Sequence, residues 1–181
     1  MGGALMASLI PSGSASGTGS MTLAAPVTNS NQIATLPDAT GTVMVSGNQP
    51  TFSYYQSATQ TLSSATITKL TFTTADWDTT SGMYASSRFT PTVAGYYQIS
   101  AGMAFNAASS TAIIYVYKNG SVSKFFTNTN PTVVSGLNGS AMVYCNGSTD
   151  YIEIYAYASV GQALVTNSQS TYFQACLMRT A

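Results

Sequence analysis

The run Phe89-Thr-Pro91-Thr-Val-Ala-Gly95-Tyr96-Tyr97-Gln98-Ile99-Ser100-Ala101-Gly102-Met103-Ala104-Phe105 limits the possible folds more than any other part of the chain. Pro91 and Gly95 mark a turn, because proline fixes φ and glycine tolerates the conformations of a tight reversal. The residues after Gly95 alternate with a period of two. Tyr97, Ile99, Ala101, Met103 and Phe105 share one face of an extended strand, and Tyr96, Gln98, Ser100, Gly102 and Ala104 share the other. Such a strand is half buried and needs a second layer over its apolar face.

The chain from Phe52 onward reads as strand after strand. Asn119-Gly120, Asn138-Gly139 and Asn146-Gly147 are expected to be tight hairpin turns, since both residues tolerate positive φ. Each pair precedes a serine, which completes a glycosylation acceptor pattern, but turn chemistry alone explains all three. Ile67 has odd parity while Leu70 and Phe72 have even parity, so a bulge is expected between them.

Two strands are apolar on both faces. Ala112, Ile114 and Val116 alternate with Ile113, Tyr115 and Tyr117, and Ile152, Ile154 and Ala156 alternate with Tyr151, Glu153, Tyr155 and Tyr157. A sandwich uses one inner face per strand, so the second face needs another partner, and a neighbouring subunit is the natural one. Tyr115, Tyr117, Tyr155 and Tyr157, or their alternating neighbours, are the expected seam of a homotrimer.

Composition narrows the partners. Charged residues make up 6 % of the chain and the net charge is zero, while 45 % is hydrophobic, with 12 Tyr and 7 Phe. Disorder of the usual kind needs the opposite balance, and little electrostatic self-repulsion keeps copies apart. Lys69, Arg88, Lys118, Lys124 and Arg179 are all the cations and are scattered along the sequence. Neither nucleic acid nor an anionic membrane surface is expected as a partner. No apolar run approaches the roughly 18 residues of a membrane helix, and Ala4 to Ile10 has no preceding Lys or Arg to make it a secretory signal. Cys145 and Cys176 lie on expected strands outside any spaced framework and read as free thiols.

Catalysis has little to draw on. The chain has no histidine, the commonest general base and neutral metal ligand. Asp76 and Asp78 are two apart, but calcium wants six to eight oxygens. The remaining carboxylates, Asp38, Asp150 and Glu153, are not gathered by spacing. No enzyme activity, metal or cofactor is expected.

Residues 1–50 differ in composition from the rest. Gly13-Ser-Ala-Ser-Gly17-Thr-Gly19-Ser20 reads as a linker, followed by three short apolar scraps, Met21-Thr-Leu23, Ile33-Ala-Thr35 and Val43-Met-Val45. None is long enough to build a core alone. The expected organisation is an extended N-terminal arm of short strands over 1–50 and a knob over 51–181.

At Phe89, Gly95, Tyr97 and Ile99 the chain resembles the globular head of the complement one-q family, a tumour-necrosis-factor-like jelly roll, and especially its versions in bacteriophage fibres. The pattern is a phenylalanine, five residues, a glycine, one residue, an aromatic, one residue and a large apolar residue, here Ile99 in place of the usual aromatic. Phe72 and Asp78 also fit, Pro50-Thr-Phe52-Ser-Tyr54 looks like the opening strand, and Asp150 to Tyr157 like the penultimate one. Tyr172 to Met178 looks like the closing strand. Tyr84 lies five residues before Phe89 where the family leaves seven, so a shortened loop is expected. The scraps within 1–50 resemble the short-strand repeats at the base of trimeric phage fibres.

The resemblance implies an all-β, antiparallel jelly-roll sandwich that is trimeric. It further implies a bacteriophage virion structural protein on the capsid or tail, a short spike or capsid-decorating fibre held by other virion proteins through residues 1–50. A tail-fibre tip that binds a host glycan or surface protein is the alternative, and a secreted cellular protein of the same fold is another. The expected recognition surface is the loop from Thr74 to Ser87, with Asp76, Trp77, Asp78 and Tyr84 as contacts. Trp77 is either that contact or a plug in the core.

Overall fold

A computed structural model describes residues 49–80 and 82–181, with backbone alone for 108–110 and 128–135. The expected arm and its three short strands lie outside the described residues.

Among the described residues eleven strands run in the order β1 (Thr51–Tyr55), β2 (Thr61–Leu62), β3 (Thr68–Lys69), β4 (Thr74–Asp78), β5 (Tyr84–Ala85), β6 (Arg88–Phe89), β7 (Gly95–Lys118), β8 (Ser121–Cys145), β9 (Ile152–Ala158), β10 (Gln162–Ala163) and β11 (Tyr172–Thr180). Every pairing is antiparallel.

The long hairpin of β7 and β8 belongs to both layers of a sandwich. The first half of β7, from Gly95 to Gly102, pairs with β11, and β11 pairs in turn with β1 and β1 with β4. The second half, from Ala112 to Lys118, pairs with β9, whose far edge carries β3 and β6 end to end. The register between β7 and β8 is irregular from Ala104 to Thr111. Across that irregularity the buried parity changes, from Tyr97, Ile99, Ala101, Met103 and Phe105 to Ala112, Ile114 and Val116. A one-residue slip sends every later side chain to the other face, and here it lets both halves of one strand face a single core.

That core is rich in aromatic rings. Phe52 is fully buried, with ring centroids of Tyr84, Phe89 and Phe173 at 4.7, 4.9 and 5.0 Å. Phe89 on β6 lies 5.2 Å from Tyr97 on β7, which ties the second layer to the first. Burying such side chains removes roughly 25 cal/mol of unfavourable hydration per Å² of apolar surface.

Gly95 opens β7 and is not in a left-handed conformation. Its place is fixed by close approach: an added Cβ would collide with the Arg179 carbonyl oxygen and stand 2.7 Å from Leu177. Of the three Asn-Gly pairs, Asn119-Gly120 joins β7 to β8 with both residues left-handed, at φ 54° and 78°. Asn146-Gly147 also turns, with the Asn146 side-chain oxygen accepting from the amides of Ser148, Thr149 and Asp150. Asn138-Gly139 corrects the sequence reading, for it continues β8 opposite Gly102 and Ala101. Glycine is needed there because the Phe126 ring occupies the space a Cβ would take. The bulge expected between Ile67 and Leu70 is replaced by a strand end, where Ile67 points to solvent just before the two-residue β3.

Candidate functional site

The candidate surfaces are the outer faces of the two layers. On the first layer, paired residues share a face and form rows across the sheet. One row is Thr51, Cys176, Gln98 and Met142, and the next is Trp77, Ser53, Gln174, Ser100 and Ser140. No charged side chain stands in these two rows; Asp76 borders them on β4 and Arg179 at the end of β11. Large apolar groups nevertheless face water. Met142 is 45 % exposed, and Tyr96 and Tyr144, 5.4 Å apart, are exposed as well. The centre is tied by short polar bonds, with Ser53 Oγ donating to Asp76 Oδ2 at 3.0 Å and Gln174 Nε2 donating to Ser53 Oγ at 3.1 Å.

The second layer's outer face carries the tyrosines. Tyr115, Tyr117, Tyr155 and Tyr157 are all half-buried and lie outward together, while their alternating neighbours Ala112, Ile114, Val116, Ile154 and Ala156 are sealed in the core. The neighbours are therefore unavailable to another subunit. Tyr117 stacks on Tyr155 at 4.2 Å, and Tyr115 lies 6.3 Å from both Tyr117 and Phe125. Beside them the fold gathers charges that lie far apart in sequence. Glu153 Oε1 accepts from Lys69 Nζ at 2.7 Å and from Arg88 Nε at 2.9 Å. Arg88 is Glu153's direct cross-strand partner and Lys69 is opposite Tyr155. Spacing could not reveal this cluster. The available signal was Glu153 itself, a carboxylate among tyrosines on a doubly apolar strand, which requires a cation when buried.

The expected recognition loop divides. Thr74 to Asp78 is an edge strand, β4, and Tyr84 to Phe89 is a two-residue hairpin, which accounts for the shortened spacing. Trp77 is 47 % exposed, so it is no core plug. Tyr84 is buried and cannot be a contact: it stacks on Tyr54 at 3.9 Å and donates its hydroxyl to the Phe72 carbonyl at 3.0 Å. Burial pushes its phenol well above the usual range. Asp78 is exposed but committed to its own chain, accepting from the Tyr54 hydroxyl at 2.9 Å and from the Thr80 amide at 2.7 Å. Trp77 and Asp76 are the members of the set left facing solvent.

Two carboxylates clamp the structure. Asp150 accepts from Lys118 Nζ at 2.8 Å, from Asn119 Nδ2 at 2.7 Å and from the Asn146 amide at 2.9 Å, joining the β7–β8 turn to the loop before β9. The Lys118 hydrogen bond lowers its pKa against the opposing effect of burial, with Asn119 and Asn146 adding to the lowering. For Glu153 burial acts upward, but the bonds from Lys69 and Arg88 outweigh it and the net shift is down. A carboxyl depressed in the folded state contributes stability above its unfolded pKa and loses it as pH falls through the folded value. The melting temperature is therefore expected to hold from neutral pH down to about 5 and to fall progressively below about pH 4, with Glu153→Gln flattening part of that fall. A wild-type melting temperature unchanged down to about pH 2.5 would contradict both assignments.

Cys145 and Cys176 are free thiols, and burial pushes Cys145 up to about 11, which makes it a poor nucleophile. Among the described residues no three His, Cys, Asp or Glu side chains gather as a metal site, and no helix is long and apolar enough to cross a membrane.

No protein-family model matches the chain, and no curated relative does. Solved structures share its fold. Murine APRIL at pH 8.0 superposes with a TM-score of 0.59 at 10 % identity, covering 72 % of this chain and all of that one. The globular domain of zebrafish complement 1qA gives 0.56 at 17 %, covering 74 % and 100 %. The PRD1 vertex protein P5 gives 0.52 at 13 %, covering 72 % and 73 %. The fold is thus an all-β antiparallel jelly-roll sandwich, shared with tumour-necrosis-factor-like and complement one-q structures.

Proposed function

We propose that this chain is a non-catalytic structural protein of a virion, a short homotrimeric spike whose jelly-roll knob is held to the particle by residues 1–50. The carrying observation is the first layer's outer face, where two rows without charge leave Met142 in water and the next row, which ends on Arg179, leaves Tyr96 and Tyr144 exposed as well. A lone chain gains nothing from that arrangement, whereas a second copy seated on the two rows would bury apolar area with Asp76 and Arg179 only at its margin. The tyrosine quartet on the second layer is the other candidate seam. Its rings already pack on one another, and the Lys69, Arg88 and Glu153 cluster borders them, so covering that face would desolvate charge. The fold shared with a vertex protein favours the virion reading, as do the short apolar segments of 1–50.

Host-surface contact is a second reading, favoured by the exposure of Trp77 beside Asp76; Trp77 ends the second row on the edge strand β4, so it serves this role only where the seam stops short of β4. An aromatic face next to a carboxylate can stack on a sugar ring and accept its hydroxyl hydrogen bonds.

Deletion of residues 1–50 tests the structural role. The truncated knob is expected to keep its β-sheet circular dichroism and its mass as an oligomer, and to disappear from purified particles. Incorporation at the level of the full chain would refute anchoring by the arm, and an unfolded product would refute the boundary.

A further inference from the structure

The chain has five cations in all, and the fold brings two of them to one opening. Lys69 and Arg88, with Met83, Ser86 and Thr90, line an open pocket of about 420 Å³ on the second layer. This lies within the size of small-ligand sites. Their shared counter-ion is sealed behind them: the Glu153 side chain is 4 % exposed, whereas those of Lys69 and Arg88 are 31 % and 46 % exposed. Two positive charges against one covered negative charge leave the opening positive on a chain of zero net charge.

Donors are left over as well. Arg88 reaches Glu153 through Nε, and its guanidinium lies over the Tyr151 ring with Cζ 4.0 Å from the centroid. The terminal nitrogens, which form the planar fork that suits an oxyanion, make no bond to Glu153. Lys69 gives one proton to Glu153 and one to the Ser86 carbonyl at 3.2 Å, and an ammonium has three.

The wall of the pocket is held in an unusual conformation. Ser86 and Ser87 form the β5–β6 turn, both left-handed at φ 52° and 57°, where the β7–β8 turn uses Asn-Gly. Ser87 is fixed there by accepting the Phe72 amide on its hydroxyl at 2.8 Å, which leaves Ser86 at the rim with its carbonyl turned to Lys69.

We propose that this opening binds an oxyanion, the carboxylate or phosphate group of an acidic polysaccharide. The hydroxyls of Ser86 and Thr90 suit a sugar unit next to the charged group, and the open side lets a polymer run on beyond it. One net charge binds weakly at a single site, so a repeating ligand engaged by several copies of the knob supplies the strength. The site lies within one chain and on the layer away from the proposed seam. Its failure would leave the structural role standing, and a monomeric knob would keep the site but bind at its weak single-site strength, so the mass of the protein is read alongside the binding.

The test measures binding of the full-length protein to immobilised polygalacturonate, poly(glycerol phosphate) and dextran. Saturable binding to at least one polyanion and none to dextran is expected, and the polymer preferred tells carboxylate from phosphate. Ser86→Asp places a negative charge at the rim without touching Glu153, and aspartate tolerates the left-handed turn. It should weaken binding about tenfold or more through like-charge repulsion, while Ser86→Asn should stay within about twofold of wild type. Absence of binding to both polyanions, equal retention on dextran, or binding unchanged in Ser86→Asp would overturn the site.

Discussion

Phe52→Ala is expected to destabilise the knob by about 3–5 kcal/mol, the range for truncating a buried aromatic ring. Phe52 is fully buried and sits where β1 meets both layers, with Tyr84, Phe89 and Phe173 all within 5.0 Å. Those neighbours come from three different strands of the sandwich and are held by backbone pairing, so the cavity cannot close without moving a sheet. Since domains are stable by only about 5–15 kcal/mol, the loss would remove much of the total. Urea unfolding followed by circular dichroism measures it. Phe52→Leu should recover most of the loss, because it keeps much of the buried volume. A loss below about 1 kcal/mol in the alanine variant would show that the core is not organised around this ring.

The second large effect is on assembly. Met142→Glu is expected to dissociate the proposed homotrimer, because the residue lies in the charge-free rows of the first layer, opposite Gln98. In a separated chain the carboxylate would stand in water at a site already 45 % exposed, with little cost to the fold. In a seam it would be buried without a partner, at a cost of several kcal/mol per copy. Phe125→Glu is the matched control. Phe125 is 60 % exposed on the second layer beside Tyr115, so its substitution should leave the trimer intact. The reverse pattern, with Phe125→Glu dissociating and Met142→Glu assembling, would move the seam to Tyr115, Tyr117, Tyr155 and Tyr157.

Much of the sandwich was legible because its strands obey strict alternation. The odd residues from Tyr97 to Phe105 are buried as the period of two requires, and the opening and closing strands stand where Phe52 and Tyr172 to Met178 put them. Local rules failed where a distant partner decided the outcome. Asn138-Gly139 has turn chemistry, yet the ring of Phe126 from the other half of β8 makes glycine a packing requirement within a strand. The length of β7 was hidden for a related reason, since the parity change between Phe105 and Ala112 breaks the alternation that would have announced one continuous strand. Trp77 could be placed only once β4 was seen to pair with β1 at the edge of the sheet. The Lys69, Arg88 and Glu153 cluster joins positions 84 and 65 residues apart, and no spacing rule links them.

The two proposed surfaces divide the molecule consistently. The first layer offers two rows without charge, bordered by Asp76 and Arg179, which favours permanent contact between copies, and the second keeps its ion cluster and its open pocket toward solvent. A trimer closed on the first layer would present three such pockets outward.

The most direct test of this account is the mass of the purified full-length protein by multi-angle light scattering at micromolar concentration. The account predicts a single species of three times the chain mass, reduced to one chain mass by Met142→Glu. A stable wild-type monomer that keeps its fold would contradict it.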